Sequence, residues 1–147
     1  MKKNKHFHQS ITTDVSIEEA FEKIRSPHQW WTVHFKGKSK RLNDIFTLRF
    51  GENKFRFKVV EMVPDQKLVW LTIHSFMPWL KDRSEWTGTK IVFEFSKTKN
   101  RTKIDLTHIG LVPVIECYGV CKVGWNQYFG ESIPALLSKG TGIFFDD

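Results

Sequence analysis

The chain has 147 residues, of which 40% are hydrophobic and 27% charged, and this balance excludes a disordered chain and favours one globular domain with its own core. Cys117 and Cys121 fall in one predicted helix and do not form a disulfide framework of the secreted kind, so we expect a cytoplasmic setting. No apolar run approaches the roughly 20 residues that span a bilayer. The basic start MKKNKHFHQS has no apolar stretch behind it, so we do not expect it to act as a secretory signal.

The net charge of +7 is spread along the sequence. Lys2, Lys3 and Lys5 supply part of it, and we expect residues 1–4 to form a frayed tail before a single domain over residues 5–147. The other cations lie along predicted strands and loops, with acids between them. Because nucleic-acid binders normally cluster their cations and carry a reading motif, the sequence predicts no nucleic-acid partner. A basic surface of this kind favours anionic ligands or partners.

The first part of the sequence predicts a strand and two short helices. Residues 6–13 alternate weakly in polarity and predict the strand. Ser16 is a typical N-cap for the first helix, because Glu19, three residues later, completes a capping box. Pro27 suits the first position of a second short helix.

A series of mostly antiparallel strands follows, interrupted by one apolar loop. The loop, residues 75–87, carries Trp79 and Trp86, and a loop with so many apolar residues is expected to fold over something. Alternating polarity predicts the strands, the first of them weakly. They are residues 35–41, 45–50, 55–63, 67–74, 88–96 and 102–110.

The last predicted element is one long helix from Val114 to Ser138, whose apolar residues recur at spacings of three and four. Pro134 should kink this helix, because it lacks an N–H and crowds the preceding turn. Gly140 suits a left-handed cap at its end. The inward face is expected to contain Val114, Tyr118, Cys121, Trp125, Phe129, Ser132, Ile133 and Leu136.

These elements predict an α+β fold, in which a curved antiparallel sheet of six to seven strands wraps around the long C-terminal helix, with two short helices after strand 1. Such a helix does not fill the concave side of the sheet by itself, so we expect an apolar cavity there. Aromatic residues make up 14% of the chain, with 13 Phe and 6 Trp, and favour a cavity lined by rings. The alternative is a bulky core with a few exposed rings.

Motifs spread over nearly the whole chain carry a family resemblance. They are IEEAFEKI at 17–24, Ser26-Pro27, Trp30-Trp31, KLVWLTI at 67–73, Gly88-Thr89, THIGL at 107–111 and Gly124-Trp125. They resemble the START-like (SRPBCC, helix-grip) superfamily, which includes birch-pollen-allergen-like proteins and polyketide cyclases, and within it the branch named for the activator of the heat-shock-protein-90 ATPase. Residues 35–41 lack the Gly-rich run of that branch, and IECYGVC at 115–121 replaces a more polar helix start. The resemblance implies the helix-grip fold, but it does not carry over co-chaperone activity, since one fold hosts many functions.

Seven residues form the predicted ligand site, and none is assigned a catalytic role. His108 shares strand parity with Ile104 and Leu106, so it points inward, either as a polar anchor for a ligand or as a core histidine bonded to backbone. Trp125, beside Gly124, either stacks on a flat ligand or belongs to the core. The site consists of Trp125, His108, Tyr118, Cys121, Phe129, Trp86 and Trp79.

No cofactor or metal is expected. Cys117 and Cys121 are neighbours on the predicted helix, but a structural zinc ion needs four ligands and His108 would supply only a third. A reactive thiol needs a lowered pKa, so Cys121 is better interpreted as a small apolar residue of the cavity wall. The sequence has no phosphate-binding loop, nucleophile elbow or metalloprotease motif.

The favoured hypothesis is non-enzymatic binding of a small apolar or amphipathic molecule in the cavity, with Trp79 and Trp86 as a lid. The alternative is a protein-interaction module of the co-chaperone type, which would have a protein partner and activate its ATPase. A second alternative is a polyketide-cyclase-like enzyme, in which His108 would act with Tyr118 or Glu61 as acid or base. Glu61 shares the strand parity of its apolar neighbours, so it is either an inward carboxylate or a sign that this face meets solvent.

Overall fold

The computed structural model describes residues 5–145 and contains one antiparallel sheet of seven strands. The strands are β1 (Phe7–Thr13), β2 (Phe35–Gly37), β3 (Ile45–Phe50), β4 (Asn53–Val63), β5 (Lys67–Phe76), β6 (Lys90–Thr98) and β7 (Arg101–Ile109). Across the sheet they follow the order β1-β7-β6-β5-β4-β3-β2, so β1 and β2 are the edges. The predicted α+β, helix-grip architecture is confirmed. The predicted tail, residues 1–4, lies outside the described residues, as do residues 146–147.

Helices lie on one side of this sheet. Helix α1 (Ile17–Ile24) begins after Ser16, whose hydroxyl accepts a hydrogen bond from the Glu19 N–H at 3.1 Å, as predicted for an N-cap. The second predicted helix is a single 3₁₀ turn, Pro27–Gln29. The C-terminal helix consists of α2 (Tyr118–Gln127), a π-helical turn and α3 (Ile133–Lys139). Within residues 5–145, no helix has the length and apolar character needed to cross a membrane.

The C-terminal helix begins at Tyr118, so the prediction that it starts at Val114 is wrong. Two tight turns come first, closed by hydrogen bonds from Ile115 N to Val112 O and from Tyr118 N to Ile115 O, both 3.2 Å long. Val114 is 67% exposed and does not belong to the inward face. The prediction extended the helix through these turns because apolar residues recur at similar intervals in a turn and in a helix.

The helix departs from regular α-helical geometry near Pro134, where a kink was predicted. The five residues Tyr128–Ser132 form a π-helical turn immediately before the proline. A proline ring crowds the carbonyl four residues earlier, here that of Gly130, and a wider turn relieves this contact. Gly140 has the left-handed conformation expected of a cap, with φ of 84°, and its N–H donates to Leu136 O at 2.9 Å.

A β-bulge in β4 decides which way Glu61 points. The pairing of β4 with β5 shifts between Val59 and Glu61, so one extra residue, Val60, changes the parity of the strand. Val59 is fully buried on the inner face, whereas Glu61 lies on the outer face with its carboxylate 3.5 Å from Lys67 Nζ. The prediction that Glu61 shares a face with its apolar neighbours is therefore wrong, and neither interpretation built on it holds, because a shift of one residue moves a side chain to the opposite face.

Aromatic side chains fill most of the concave side of the sheet. Trp30 stacks on Trp31 with ring centroids 5.2 Å apart, and Trp70 lies edge-on to Phe93 at 5.1 Å. Trp30, Trp70 and Phe93 are fully buried. The rings of the 3₁₀ turn and of the strands thus occupy space that the helix leaves empty, and the expected cavity is confined to one end of the interior.

Candidate functional site

The unfilled end of the interior is a pocket of about 130 Å³ between α2 and the loop 77–89 that joins β5 to β6. Trp79 and Val120 form its rim and are 45% and 61% exposed. An engineered apolar cavity of about 150 Å³ binds benzene, so this pocket has room for one ring or a short alkyl chain. Six rings form most of the wall, namely Trp31, Phe50, Phe55, Trp86, Trp125 and Tyr128.

Four of the seven predicted site residues line this pocket, and three do not. Phe129 is fully buried behind the pocket, with its ring centroid 6.4 Å from that of Phe93. Tyr118 lies beside a separate depression, together with Phe7 and Lys122. His108 is fully buried and does not reach the pocket surface. The four that line the pocket are Trp125, Cys121, Trp86 and Trp79; that they bind a ligand stays a prediction.

His108 is the centre of a buried hydrogen-bond network. The Trp125 Nε1–H donates to His108 Nδ1 at 3.0 Å, and His108 Nε2 lies 3.0 Å from Thr89 Oγ1. An indole N–H can only donate, so Nδ1 is an acceptor and the ring proton is on Nε2, which donates to Thr89. The Thr89 hydroxyl in turn donates to Trp86 O at 2.7 Å and accepts from the Thr72 hydroxyl at 3.1 Å.

This network keeps His108 neutral. Burial lowers the pKa of His108 from 6.5 to about 3, and the nearby His6 contributes in the same direction. Both ring nitrogens are occupied by side chains rather than by the backbone groups that the core interpretation expected. The histidine therefore fixes the position of Trp125, which forms part of the pocket wall.

The glycine of the THIGL motif makes room for this network. Gly110 has φ of 105°, which side chains other than glycine rarely adopt, and a Cβ placed there would lie 2.6 Å from Thr89 Cγ2. The tight approach holds the Thr89 hydroxyl beside His108. This gives the motif a local physical reason, independent of any ligand.

The loop 77–89 is tied to the start of α2 by groups that sequence reasoning missed. The Glu85 carboxylate accepts hydrogen bonds from Cys117 N at 2.9 Å and Glu116 N at 3.2 Å. These N–H groups precede the helix and lack partners within it, so a carboxylate is a favourable partner. Nearby, the Trp86 Nε1–H donates to Cys117 Sγ at 3.3 Å. The signal available in the sequence was the acid next to Trp86, but no spacing rule links residues that are 31 and 32 positions apart.

Trp79 closes the outer side of the pocket. Its Nε1–H donates to Asn53 Oδ1 at 3.0 Å, which joins the loop to the first residue of β4. The ring is 45% exposed, in contrast to Trp86, which is 5% exposed and packs 4.6 Å from Phe55. Of the two rings predicted as a lid, Trp86 is a wall and Trp79 is the one at the opening.

The two thiols lie side by side without a disulfide. The hydrogen bond with Cys121 and burial raise the pKa of the Cys117 thiol, so it stays protonated at neutral pH and is a poor nucleophile. Cys121 is 9% exposed and lines the pocket as a small apolar side chain. Across residues 5–145, no cluster of three or more His, Cys, Asp or Glu side chains is arranged to hold a metal ion.

The acid–base set considered for an enzyme does not come together. Glu61 lies on the outer face of the sheet and pairs with Lys67. His108 lies on the inner face and has no free ring nitrogen. Tyr118 lies half-buried at a different depression.

A family model described as Activator of Hsp90 ATPase homolog 1-like protein matches residues 14–138, so the chain belongs to that family. The expected START-like superfamily and branch are thereby confirmed. None of the curated proteins compared with the chain matched it.

Solved structures show the same fold. The chain is similar to the Aha1 dimer from Colwellia psychrerythraea, with a TM-score of 0.77 and 22% identity over 93% of this chain and 98% of that one. It is similar to DynU16, from the dynemicin biosynthetic locus, with a TM-score of 0.68 and 14% identity over 94% of this chain and 49% of that one. SSP2350 from Staphylococcus saprophyticus has a TM-score of 0.66 and 17% identity, covering 94% and 95% of the two chains. Identities this low show the fold alone.

Proposed function

We propose that the protein binds a small apolar molecule, the size of one aromatic ring or a short alkyl chain, in the pocket beside α2, without catalysing a reaction. The observation that carries this proposal is the ring-walled opening of about 130 Å³. Apolar walls that face an opening favour apolar ligands, because binding removes both surfaces from water. In this proposal Trp125, Trp86, Cys121 and Trp79 touch the ligand.

The other three predicted residues act indirectly in this proposal. His108 holds Trp125 through its Nδ1, and Phe129 packs behind the pocket against β6. Tyr118 supports the first turn of α2 from the side away from the pocket. We also propose a cytoplasmic setting, which the two free thiols support.

The polarity of the wall narrows the ligand class further. The indole N–H groups of three pocket residues already donate hydrogen bonds within the protein. Trp86 donates to Cys117, Trp125 to His108 and Trp79 to Asn53. A buried polar group on the ligand would therefore find few partners, which is unfavourable. An amphipathic ligand fits if its polar end stays at the rim, where it meets water.

The test is to titrate the protein with benzene, toluene, phenol and naphthalene and to measure binding by calorimetry and by tryptophan fluorescence. We expect saturable binding of the single-ring probes and weaker binding of naphthalene, because two fused rings exceed the pocket. Absence of saturable binding for every probe would overturn the proposal.

Two glycines of α2 offer a matched pair of variants. A Cβ at Gly124 or at Gly119 would meet no heavy atom within 4 Å, so both positions accept a larger side chain. Gly124 lines the pocket and Gly119 does not. Gly124→Leu should fill the pocket and abolish benzene binding, whereas Gly119→Leu should leave it unchanged. Equal binding by the two variants would place the ligand elsewhere.

A second candidate function is a protein-interaction module that stimulates an ATPase of the heat-shock-protein-90 type. Membership of the family named for that activator favours it. The measurement is ATP turnover by such an ATPase with increasing amounts of this protein. Turnover that stays unchanged at saturating protein would remove this candidate.

A further inference from the structure

The outer face of the sheet divides into two halves with different charge. One half, which we call the cationic face, lies on strands β2 to β6 and presents six basic side chains with no acid among them. It is defined by Lys36, Arg49, Lys54, Arg56, Lys58 and Lys90. The other half mixes both signs, with ion pairs such as Lys67–Glu61 at 3.5 Å and Lys103–Asp105 at 3.9 Å.

Strand register brings the six cations together although the sequence scatters them. Residues paired across an antiparallel sheet point to the same side. Three rows of paired residues cross the cationic face. They are Lys36, Thr47, Arg56 and His74; Arg49, Lys54 and Phe76; and Ile45, Lys58, Leu71 and Lys90. At about 4.8 Å between strands and 6.8 Å between rows, the face measures roughly 14 Å along the strands and roughly 19 Å across them.

The cations of this face have no compensating acids. None of the six forms an ion pair with a carboxylate in the described part of the chain. Acids surround the face instead: Asp44 directly precedes β3, Glu52 lies in the turn between β3 and β4, and Glu61 and Glu94 lie farther along β4 and β6. Arg49 lies directly opposite Lys54, and like charges in that position destabilise a sheet. The arrangement has a cost in stability, which an anionic partner would offset.

Aromatic side chains distinguish which polyanion fits. Phe76 is 39% exposed and lies opposite Lys54, and the exposed His74 ring lies opposite Arg56. Cations bordered by two exposed rings on β5 match the two components of single-stranded nucleic-acid binding, a basic surface for phosphates and flat side chains for bases. An acidic protein segment would use the cations but not the rings.

The scattered cations of the sequence predicted no nucleic-acid partner, but strand register gathers six of them, and we propose that the cationic face binds short single-stranded RNA or DNA without sequence preference. Lys54, Arg56 and Lys58 contact phosphates along β4, and Phe76 stacks on a base. The outer face of the sheet has no helix or ribbon to enter a duplex groove, so a flexible single strand is the better occupant. This site is on the opposite side of the sheet from the pocket and does not depend on it.

The test is fluorescence anisotropy with labelled 12-nucleotide oligouridylate and oligothymidylate over a range of salt concentrations. Non-specific binding predicts a dissociation constant of about 10⁻⁴ to 10⁻⁶ M at physiological salt. With three phosphates contacted by Lys54, Arg56 and Lys58, the affinity should fall with salt at a log–log slope of about −2. No detectable binding at low salt would overturn the proposal.

Two double variants with the same loss of charge localise the site. Arg56→Gln with Lys58→Gln should weaken binding at least about fivefold and reduce the salt slope by about 1.4, since two phosphate contacts are lost. Lys67→Gln with Lys103→Gln removes the same charge from the other half and should change affinity less than about twofold. Equal losses in the two variants would show that net charge alone attracts the polymer, which overturns the proposal.

Phe76→Ala separates nucleic acid from other polyanions. It should weaken oligonucleotide binding about fivefold or more while leaving the salt slope unchanged, because stacking does not release counterions. A 12-residue oligoglutamate should compete poorly. Competition as strong as that of oligouridylate, or full affinity in the Phe76 variant, would instead assign the face to an acidic protein segment.

Discussion

Tryptophan side chains occupy both ends of the interior, but in different ways. At the filled end, Trp70 is fully buried among other rings, and its Nε1–H has no acceptor in the described part of the chain. At the pocket end, Trp125 and Trp86 donate their N–H groups to His108 and Cys117. Trp70 is held by packing alone, whereas Trp125 and Trp86 are also held by directional bonds. Trp30 at the filled end is an exception, because its Nε1–H donates to Ile24 O at 3.0 Å.

This difference explains how an opening persists in a core so rich in rings. Packing alone favours the collapse of side chains into a void, because atoms that border empty space lose van der Waals contacts. A hydrogen bond between buried groups fixes ring orientation, and breaking it leaves both groups unsatisfied. The hydrogen-bonded indoles of Trp125 and Trp86 therefore cannot collapse inward as easily as a ring held by packing alone, such as that of Trp70.

The largest expected effect is at the filled end. Trp70→Ala should lower the free energy of unfolding by about 3–5 kcal/mol, because it removes a fully buried ring and leaves a cavity. Chemical denaturation measures this loss. Trp79→Ala, at the half-exposed rim, is the control and should cost less than about 1 kcal/mol. Equal losses would mean that the filled end is not the stabilising part of the interior.

Removing the indole N–H while keeping a ring sharpens the comparison. Trp125→Phe leaves His108 Nδ1 buried without a donor, whereas Trp70→Phe removes an N–H that had no acceptor. We expect Trp125→Phe to cost about 1–3 kcal/mol more than Trp70→Phe. Denaturant unfolding of the two variants gives the difference directly. A larger loss for Trp70→Phe would contradict the distinction between tied and untied rings.

The buried histidine makes the pocket end sensitive to acid. Because the pKa of folded His108 is about 3 and that of the unfolded chain is near 6.5, the unfolded state binds the proton first as pH falls. Stability from this group is complete above pH 6.5 and is lost as pH falls from there toward 3. From about pH 7.5 to about pH 5.5 the loss should approach 1.4 kcal/mol.

Two histidine variants check the origin of this acid sensitivity. His108→Gln should remove most of the slope of stability against pH. Burial, and then Lys40, lower the pKa of His28 as well, but that residue is only partly buried. His28→Gln should therefore leave most of the slope in place. A slope that survives in His108→Gln would assign the effect to other groups.

The smallest expected effect concerns the rim. Asn53→Ala removes the acceptor of the Trp79 Nε1–H, and the exposed setting limits the loss of stability to about 0.5–1 kcal/mol. The ring should then move more freely, and acrylamide should quench tryptophan fluorescence more strongly. Quenching identical to that of the unchanged protein would show that Asn53 does not hold the ring at the opening.

Much of the fold was predictable because alternation and helical spacing are local properties. The inward parity of His108 with Ile104 and Leu106 and the N-cap at Ser16 followed from neighbours in the sequence and agree with the structure. The face on which Glu61 lies could not be predicted from its neighbours, because a bulge of one residue depends on the partner strand. The hydrogen bonds of Glu85 to the start of α2 could not be predicted either, because they join residues 31 and 32 positions apart.

By itself the sequence determined the order and type of most elements, the family, and the inward face of the last helix from Cys121 onward, since each rests on patterns a few residues long. Tertiary structure alone decided how much of the hollow stays open, that His108 lies behind the wall instead of in it, and that six scattered cations meet on one face. These outcomes depend on volumes filled by distant rings and on the pairing of strands. Both are set by contacts between residues far apart in the chain, which no local pattern encodes.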